Sequence, residues 1–230
     1  MSLDAVAWDA LRLSLWVAVW ATVIAVPLAL WVAWVLARRE FWGKSLLNAV
    51  VHLPLVLPPV VTGYILLTLF SPAAPAGAAL GVIGLTLAFK WTGAVLAAIV
   101  MGFPLMVRAM RLAIEAVDPK LEEAAATLGA SRISVFSRVT LPLIAPGVLA
   151  GAVMGFAKAM GEFGATITFV ANIPGQTQTL PIAIWTALQI PGGEGPAAAM
   201  ALLSCTVALG AVFLSEALAR RVATRIGGSR

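Results

Sequence analysis

The sequence has little charge and very few chemically reactive side chains. Among its 230 residues it has one cysteine, one histidine and one tyrosine, and 11% of its residues are charged, whereas soluble domains carry about 25% charge. The single cysteine, Cys205, cannot form an internal disulfide and indicates no redox compartment. The lone His52 has no partner pattern typical of a metal site, so we expect a structural or interfacial role for it. The shortage of charge instead predicts an integral membrane protein.

The apolar part of the chain also lacks paired carboxylates, histidine clusters and nucleophile sets. The segment Gly43-Lys44-Ser45 resembles the end of a phosphate-binding loop, but the position five residues before Gly43, where that loop needs a glycine, is Arg38. We therefore expect no nucleotide site, no metal and no cofactor. No remaining stretch is long enough for a separate soluble domain, so a catalytic engine must lie on another chain. A membrane-embedded enzyme or a passive channel is the distant alternative.

Long apolar runs are what the sequence has in abundance, since 61% of its residues are hydrophobic. Five runs reach the roughly 20 residues that are needed to cross a bilayer core about 30 Å thick. The leader before the first run contains Asp4 and Asp9 rather than a basic segment, so we expect a retained helix and not a cleaved signal. The predicted fold class is an all-α integral membrane protein with one transmembrane domain, residues 1–230. Its predicted spans are approximately residues 13–37, 46–70, 85–106, 143–163 and 196–218.

The basic residues predict how these spans are oriented, because short loops rich in Lys and Arg stay in the cytoplasm. Twelve of the 15 basic residues follow span 1, lie between spans 3 and 4, or follow span 5. Five spans with the N-terminus outside and the C-terminus in the cytoplasm fit this pattern. The net charge of +5 then reflects attraction to anionic lipid headgroups, and nothing indicates a nucleic acid partner. The twelve residues are Arg38, Arg39, Lys44, Arg108, Arg111, Lys120, Arg132, Arg138, Arg220, Arg221, Arg225 and Arg230.

The second span is rich in proline where it begins, with Pro54, Pro58 and Pro59 in the segment 52–64. Each proline lacks a backbone donor and clashes with the preceding turn. Because unpaired carbonyls cannot face lipid, we expect this helix to be broken against protein or a water-filled path. The alternative is a kink without a transport role. Pro58, Pro59 and Thr62 are therefore candidate pathway residues.

The fourth span has a stripe of small residues and one pair of opposite charges. Gly147, Gly151 and Gly155 are four residues apart, a spacing that lets another helix approach closely, within the subunit or across a dimer. Lys158 and Glu162 lie one turn apart and can neutralise each other. This pair either helps the span to end near the outer interface or lies at the external mouth of a pathway.

The outer loop after span 4, residues 164–195, is rich in Thr, Asn and Gln. Its apolar stretch 180–190 is too short to cross a membrane, which favours an interfacial or re-entrant helix. Neutral donors can solvate an anion without trapping it, so Thr166 is a further candidate pathway residue. A plain hydrated loop would have the same composition.

One long polar segment, residues 118–142, interrupts the apolar spans. Asp118 is suited to cap a helix whose first residue is Pro119, Gly129 is a natural stop, and Ser131 can cap a second short helix that runs up to Leu141-Pro142. Such a helical hairpin can lie on the membrane surface or dock into a partner's groove.

This segment resembles the EAA loop of ATP-binding cassette importer permeases. That motif reads Glu-Ala-Ala, three residues, Gly, nine residues, Ile, one residue, Leu-Pro, and the chain departs from it only at Val139, which replaces Ile. In the family this loop forms the coupling helices, which seat in clefts of the ATPase subunits. The resemblance implies the fold of a type I importer permease and a set of ATPase-coupling residues. These are Glu122, Glu123, Ala124, Ala125, Leu128, Gly129, Ala130, Leu141 and Pro142.

The segments 52–64, 103–118, 161–175 and 177–194 are similar to those of molybdate permease subunits. The resemblance implies an inner-membrane, non-enzymatic subunit that moves molybdate, with tungstate as a co-substrate, while a separate ATPase hydrolyses ATP. The implied partners are a second copy of the chain, two ATP-binding subunits and a periplasmic or lipid-anchored molybdate-binding protein, within membrane lipid. Sulfate permeases share the segment around residues 161–165, so a sulfate or thiosulfate permease is the nearer alternative.

Overall fold

The computed structural model describes residues 3–226, and every regular element within that range is helical. This confirms the predicted all-α class. Arg230, which the charge pattern assigns to the cytoplasm, lies outside the described residues. The helices are α1 (Leu3–Arg38), α2 (Lys44–Val56), α3 (Pro59–Phe70), α4 (Pro75–Val82), α5 (Trp91–Glu115), α6 (Pro119–Thr127), α7 (Arg132–Val135), a π-helical segment (Phe136–Thr140), α8 (Leu141–Met160), α9 (Gly164–Val170), α10 (Leu180–Leu188) and α11 (Glu194–Ile226).

Helix α1 is much longer than the apolar run that predicts the first span. Its 36 residues extend over roughly 54 Å at 1.5 Å per residue. Pro27 lies inside the helix without ending it. One face of α1 has an alanine at nearly every turn, and these alanines are buried where α1 packs on α5: Ala18, Ala21, Ala25, Ala29 and Ala33. Small side chains allow the two backbones to approach closely.

Helix α5 is the centre of the bundle. In the most apolar 18-residue stretch of α5, 61% of the residues are buried. In the corresponding stretches of the other long helices, the buried share is 33% for α1, 22% for the helix that includes α8 and 11% for α11. The helix begins at Trp91 rather than Leu85 and ends at Glu115 rather than Met106, so it is displaced along the chain relative to the predicted span. The late start follows from the local backbone, because Phe89 has a φ of +60° and Lys90 is extended.

The second predicted span consists of two helices, α2 and α3, whose axes differ by 113°. Pro58 separates them, with φ −55° and ψ 134°, and neither proline at the break can donate a backbone hydrogen bond. Asn48 of α2 accepts a hydrogen bond from Arg111, whereas Phe70 of α3 packs against Phe169 of α9. The pair therefore connects the two ends of the bundle. Within residues 3–226, four helices are long and apolar enough to cross a membrane, or five if this bent pair is one span.

Two apolar clusters fill the interior, one at each end of α1 and α5. One contains Ala10, Ala94, Phe169 and Leu180, and the other contains Leu36, Met110, Ile114 and Ile144. We call the end of the second cluster, which includes residues 38–44 and 115–140, the basic end. The apolar stretch 180–190 forms the short helix α10, which is fixed to α1 at the opposite end by a hydrogen bond from Leu180 N to Ser14 Oγ of 2.7 Å.

Candidate coupling site and anion path

The polar segment at the basic end folds into helices whose limits its sequence dictates. The Asp118 side chain accepts a hydrogen bond from Lys120 N at 2.9 Å and caps α6, in which Pro119 is the first residue. The chain then turns at Gly129, which has a φ of +85° that favours glycine. Ser131 caps α7 by accepting a hydrogen bond from Ser134 N. Both predicted caps and the predicted turn are therefore present.

The second arm of this hairpin does not end at Leu141-Pro142, as its sequence suggests. It passes through the π-helical segment 136–140 directly into α8, so that residues 132–160 form one helix of 29 residues. Pro142 does not end this helix; it lies just after the π turn, across which Leu141 N bonds to Phe136 O. Leu141 and Pro142 thus join the loop to a membrane helix.

The expected coupling residues lie on two different faces. Glu123, Ala124, Leu128 and Gly129 are exposed, and 89% of the Leu128 surface is accessible. Ala125 and Ala130 are half-buried. Ile133, 81% exposed, extends the apolar surface, although the motif does not include it. Its local signal is an apolar side chain at helical spacing from Phe136 and Val139 within a polar segment.

Glu122 faces the bundle rather than the exposed side of the loop. Its Oε1 accepts hydrogen bonds from Arg38 Nη2 at 3.2 Å and from Thr140 Oγ1 at 2.7 Å. Arg38 Nη2 also donates to Val117 O at 3.2 Å. Thr140 is 2% exposed. We call Arg38, Glu122 and Thr140 the loop clamp. It ties α6 to the end of α1 and to the base of α8.

Sequence reasoning placed Glu122 among the coupling residues but missed its two partners in the clamp. Arg38 lies 84 residues before Glu122, so no local pattern links them. A cavity of about 840 Å³ lies beside the clamp, between the last turns of α1 and the loop. Its walls include Trp31 and Trp34 on one side and Glu123 and Ile133 on the other.

The glycine stripe of α8 packs within the subunit, against α5. A side chain at Gly147 would collide with Ala113, and one at Gly155 would collide with Met106. A Cβ at Gly151 would lie 3.2 Å from Met106 O. The three glycines therefore permit α8 and α5 to approach each other at backbone distance.

The candidate pathway residues fall largely into one region, where the break between α2 and α3 meets the start of α9. A Cβ at Gly164 would lie 2.7 Å from Cβ of Pro59, and a Cβ at Gly63 would lie 2.5 Å from Ala165 O. Thr62 is buried in α3, and its hydroxyl has no hydrogen-bond partner among the described residues. Pro58 forms the break itself, and Thr166 is buried in α9.

The predicted Lys158–Glu162 pair forms at this region. Lys158 Nζ lies 2.7 Å from Glu162 Oε2, and Glu162 Oε1 accepts a hydrogen bond from Ala165 N at 3.0 Å. Glu162 is 3% exposed. A carboxylate this deeply buried requires both partners, so it fixes the start of α9 against the end of α8. Among the described residues no group of three His, Cys, Asp or Glu side chains could hold a metal ion.

The bent helix pair, the close α5–α8 contact and the tethered polar loop together define a permease, that is, a membrane-embedded transport subunit. The chain belongs to the family described as the binding-protein-dependent transport system inner membrane component, whose model matches residues 25–224. It is therefore a multi-pass protein of the inner membrane and not an enzyme, and the resemblance to importer permeases is confirmed at the level of the family.

Relatives support this assignment along nearly the whole chain. The molybdenum transport system permease protein ModB of Escherichia coli (strain K12) is 53% identical over 221 residues, which cover 96% of each chain. The sulfate transport system permease protein CysT of Salmonella typhimurium is 35% identical over 85% of this chain and 70% of its own.

A crystal structure of a bacterial alginate ABC transporter, in complex with an alginate pentasaccharide-bound periplasmic protein, has the same fold. Its TM-score is 0.75 at 19% identity, and the match covers 93% of this chain and 78% of the other. The chain thus has the fold of a type I ABC importer permease, and its family places it in a binding-protein-dependent transport system.

Proposed function

We propose that the chain moves molybdate, and tungstate as a co-substrate, into the cytoplasm by alternating access that a separate ATPase drives. The observation that carries the choice of substrate is the 53% identity, over 96% of each chain, to a relative named for molybdenum transport. A bare dianion is far too costly to bury in hydrocarbon, so the path must open to one side at a time.

We infer that a second copy completes the path. The glycine stripe is already occupied by α5, so a dimer must use another surface. Helices α8 and α11 have large unburied surfaces, since only 22% and 11% of the residues in their most apolar 18-residue stretches are buried. Two ATP-binding subunits on the cytoplasmic side and a periplasmic or lipid-anchored binding protein complete the proposed assembly, which is surrounded by membrane lipid.

The proposed coupling route begins at the exposed surface of the loop, with Leu128 and Ile133 as apolar contacts for the ATPase. Movement of α6 then reaches α1 through the clamp residue Arg38, and it reaches α8 through Thr140 and the unbroken helix 132–160. The cavity beside the clamp leaves space into which α6 can move. Helices α2, α3 and α8 would then swing about the glycine contact with α5.

Uptake of radioactive molybdate by cells whose only molybdate transporter is the assembled complex tests this function. Gly129→Asp and Glu123→Lys should abolish uptake while the subunit still inserts into the membrane, because both substitutions alter the exposed surface that the ATPase must contact. Gly84→Asp is the matched control, since Gly84 also has a positive φ of +76° and open space around it but lies between α4 and α5. Normal uptake by the Gly129→Asp protein would contradict the coupling assignment.

The sulfate or thiosulfate permease is the second candidate, and the 35% identity to a sulfate permease favours keeping it. Competition decides between the two. We expect excess tungstate to suppress molybdate uptake and excess sulfate to leave it nearly unchanged, whereas strong inhibition by sulfate would reverse the choice of substrate.

A further inference from the structure

A second cluster of charge lies at the basic end, between α2 and α5 and separate from the coupling loop. It surrounds a cavity of about 260 Å³. If each water occupies about 30 Å³, the cavity has room for roughly eight water molecules. The lining residues are Asn48, His52, Arg108, Arg111, Leu112 and Glu115.

Most of the polar groups around this cavity are held in place. Arg111 Nε donates to Glu115 Oε1 at 2.7 Å, and Arg111 Nη1 donates to Asn48 Oδ1 at 3.2 Å. His52 Nδ1 lies 2.9 Å from Asn48 O. Because a carbonyl oxygen only accepts, Nδ1 must carry the hydrogen in this bond. Of these three bonds, the one between Arg111 and Asn48 joins α5 to α2 across the cavity.

Arg108 is the exception. It forms no ion pair with any described residue, and its neighbour one turn along the same helix is another cation, Arg111. Like charges at this spacing repel each other. Glu115 is the only carboxylate in the lining, and Arg111 already engages it. The cavity therefore has an excess of positive charge and one guanidinium with unused donors.

We propose that this cavity is a binding site for a tetrahedral oxyanion, held by the guanidinium groups of Arg108 and Arg111. Guanidinium groups match the oxygens of such anions through paired, charge-assisted hydrogen bonds. The space allows the anion to keep part of its hydration shell, so binding is weak enough for release. The anion is either the transported molybdate or tungstate as it leaves the path, which rests on the proposed function, or the phosphate of an inner-leaflet lipid.

The test uses the complete permease–ATPase complex in nanodiscs made of zwitterionic lipid, without the binding protein. Equilibrium binding of radioactive sodium molybdate is measured for the wild type, for Arg108→Gln and for Arg39→Gln. Arg39 is the matched control because it lies at the same end of the bundle but over the ring of Trp34, outside this cavity. We expect Arg108→Gln to weaken binding at least tenfold and Arg39→Gln to leave it unchanged. Size-exclusion chromatography and ATP hydrolysis without substrate establish that the variants assemble.

A second arm distinguishes the two sources of the anion. Phosphatidylglycerol is added to the nanodiscs, and native mass spectrometry counts the lipids that stay bound. If the lipid phosphate is the occupant, the wild type retains phosphatidylglycerol, Arg108→Gln loses it, and molybdate does not compete. The oxyanion site is overturned if neither molybdate nor phosphatidylglycerol binding differs between the wild type and Arg108→Gln.

Uptake by the wild-type complex with its binding protein separates this inference from the proposed function. If the wild-type complex takes up molybdate but Arg108→Gln leaves molybdate and phosphatidylglycerol binding unchanged, the oxyanion site is overturned and the proposed function stands. Absent molybdate uptake, together with phosphatidylglycerol binding that depends on Arg108, overturns the proposed substrate and leaves the oxyanion site standing.

Discussion

Ala171 has a backbone conformation that alanine rarely adopts. Its φ of +61° and ψ of −165° lie in a region that is populated almost only by glycine, and such residues cost about 1–3 kcal/mol each. The surrounding hydrogen bonds enforce this shape, because Ala171 O accepts from Thr177 Oγ1 and Ile173 N donates to the same hydroxyl. The turn after α9 therefore keeps Ala171 in a backbone conformation that is unfavourable for alanine.

Replacing this residue with glycine should therefore stabilise the protein. We expect Ala171→Gly to raise the free energy of unfolding by about 1 kcal/mol, since glycine removes the steric conflict, and to raise the midpoint of thermal unfolding in detergent. The same replacement at Ala199, an exposed residue inside α11, should instead destabilise by about 0.5–1 kcal/mol. A lower midpoint for Ala171→Gly would contradict the strained backbone.

Residue-scale features could be predicted when their causes are local in sequence. Asp118, Gly129 and Ser131 act within three residues of themselves, so their roles in the loop could be read from the order of residues. Arg38 and Thr140 act on Glu122 from 84 and 18 residues away. Which distant groups meet depends on how the helices pack, so the loop clamp could not be predicted.

The contact between α5 and α8 depends on an element-scale match of small residues. Gly147 faces Ala113, whose methyl group cannot move aside, whereas Gly155 faces Met106, whose side chain can change rotamer. We expect Gly147→Ala to cost about 1–3 kcal/mol of stability through overpacking and Gly155→Ala to cost less.

Restoring the space should restore the contact. Thermal unfolding of Gly147→Ala combined with Ala113→Gly should recover much of the lost stability, because the two methyl groups no longer collide. Gly210→Ala on α11 has open space around it and should be neutral or slightly stabilising. If Gly210→Ala and Gly147→Ala have equal effects, the close approach of the two helices is contradicted.

The loop clamp ties α6 to α1 as well as to the base of α8. We expect Arg38→Ala to lower the ratio of molybdate transported to ATP hydrolysed by about fivefold or more. A change of this size is what a typical coupling free energy between two sites produces. Glu122→Gln should have a smaller effect, because it keeps an acceptor for Thr140 and loses only the ion pair. Uptake and ATP hydrolysis are measured together in proteoliposomes.

An exchange of charges provides the decisive comparison for the clamp. Arg38→Glu combined with Glu122→Arg should recover part of the coupling that each single reversal destroys. Arg39→Ala is the control, since its guanidinium lies over Trp34 and takes no part in the clamp. Equal loss of coupling in Arg39→Ala and Arg38→Ala would mean that only the basic surface matters.

At the scale of the whole molecule, the class could be predicted from the sequence and the helix limits could not. Apolar runs, the shortage of charge and the EAA loop were sufficient to assign an all-α permease. Hydropathy marks only the residues that suit lipid, however, so it cannot foresee that α1 continues to Leu3 or that α5 extends to Glu115. The 113° break in span 2 was expected as a break, but its angle depends on α9 packing against α3.

The orientation in the membrane stays a prediction, and the structure provides sites to test it. On a Cys205→Ser background, we expect a membrane-impermeant maleimide to label Gln176→Cys in spheroplasts and to label Ser137→Cys only after permeabilisation. Both positions are exposed and lie at opposite ends of the bundle. The physical reason is that the basic residues cluster with Ser137 and stay on the cytoplasmic side. Labelling of Ser137→Cys from outside would invert the topology.

The five-residue π turn at the base of α8 sets the direction in which the exposed side chains of the loop point relative to the rest of α8. Each α-helical residue advances the direction of a side chain by about 100°, since there are 3.6 residues per turn. The wide π turn holds one residue more than an α-helical turn, so deleting one residue from 136–140 would leave an ordinary helix with Ile133 in nearly the same direction relative to α8. One residue inserted after Pro142 would instead rotate Ile133 by roughly 100° relative to the rest of α8. The protein with this insertion would keep every proposed coupling side chain but would present those side chains in the wrong direction.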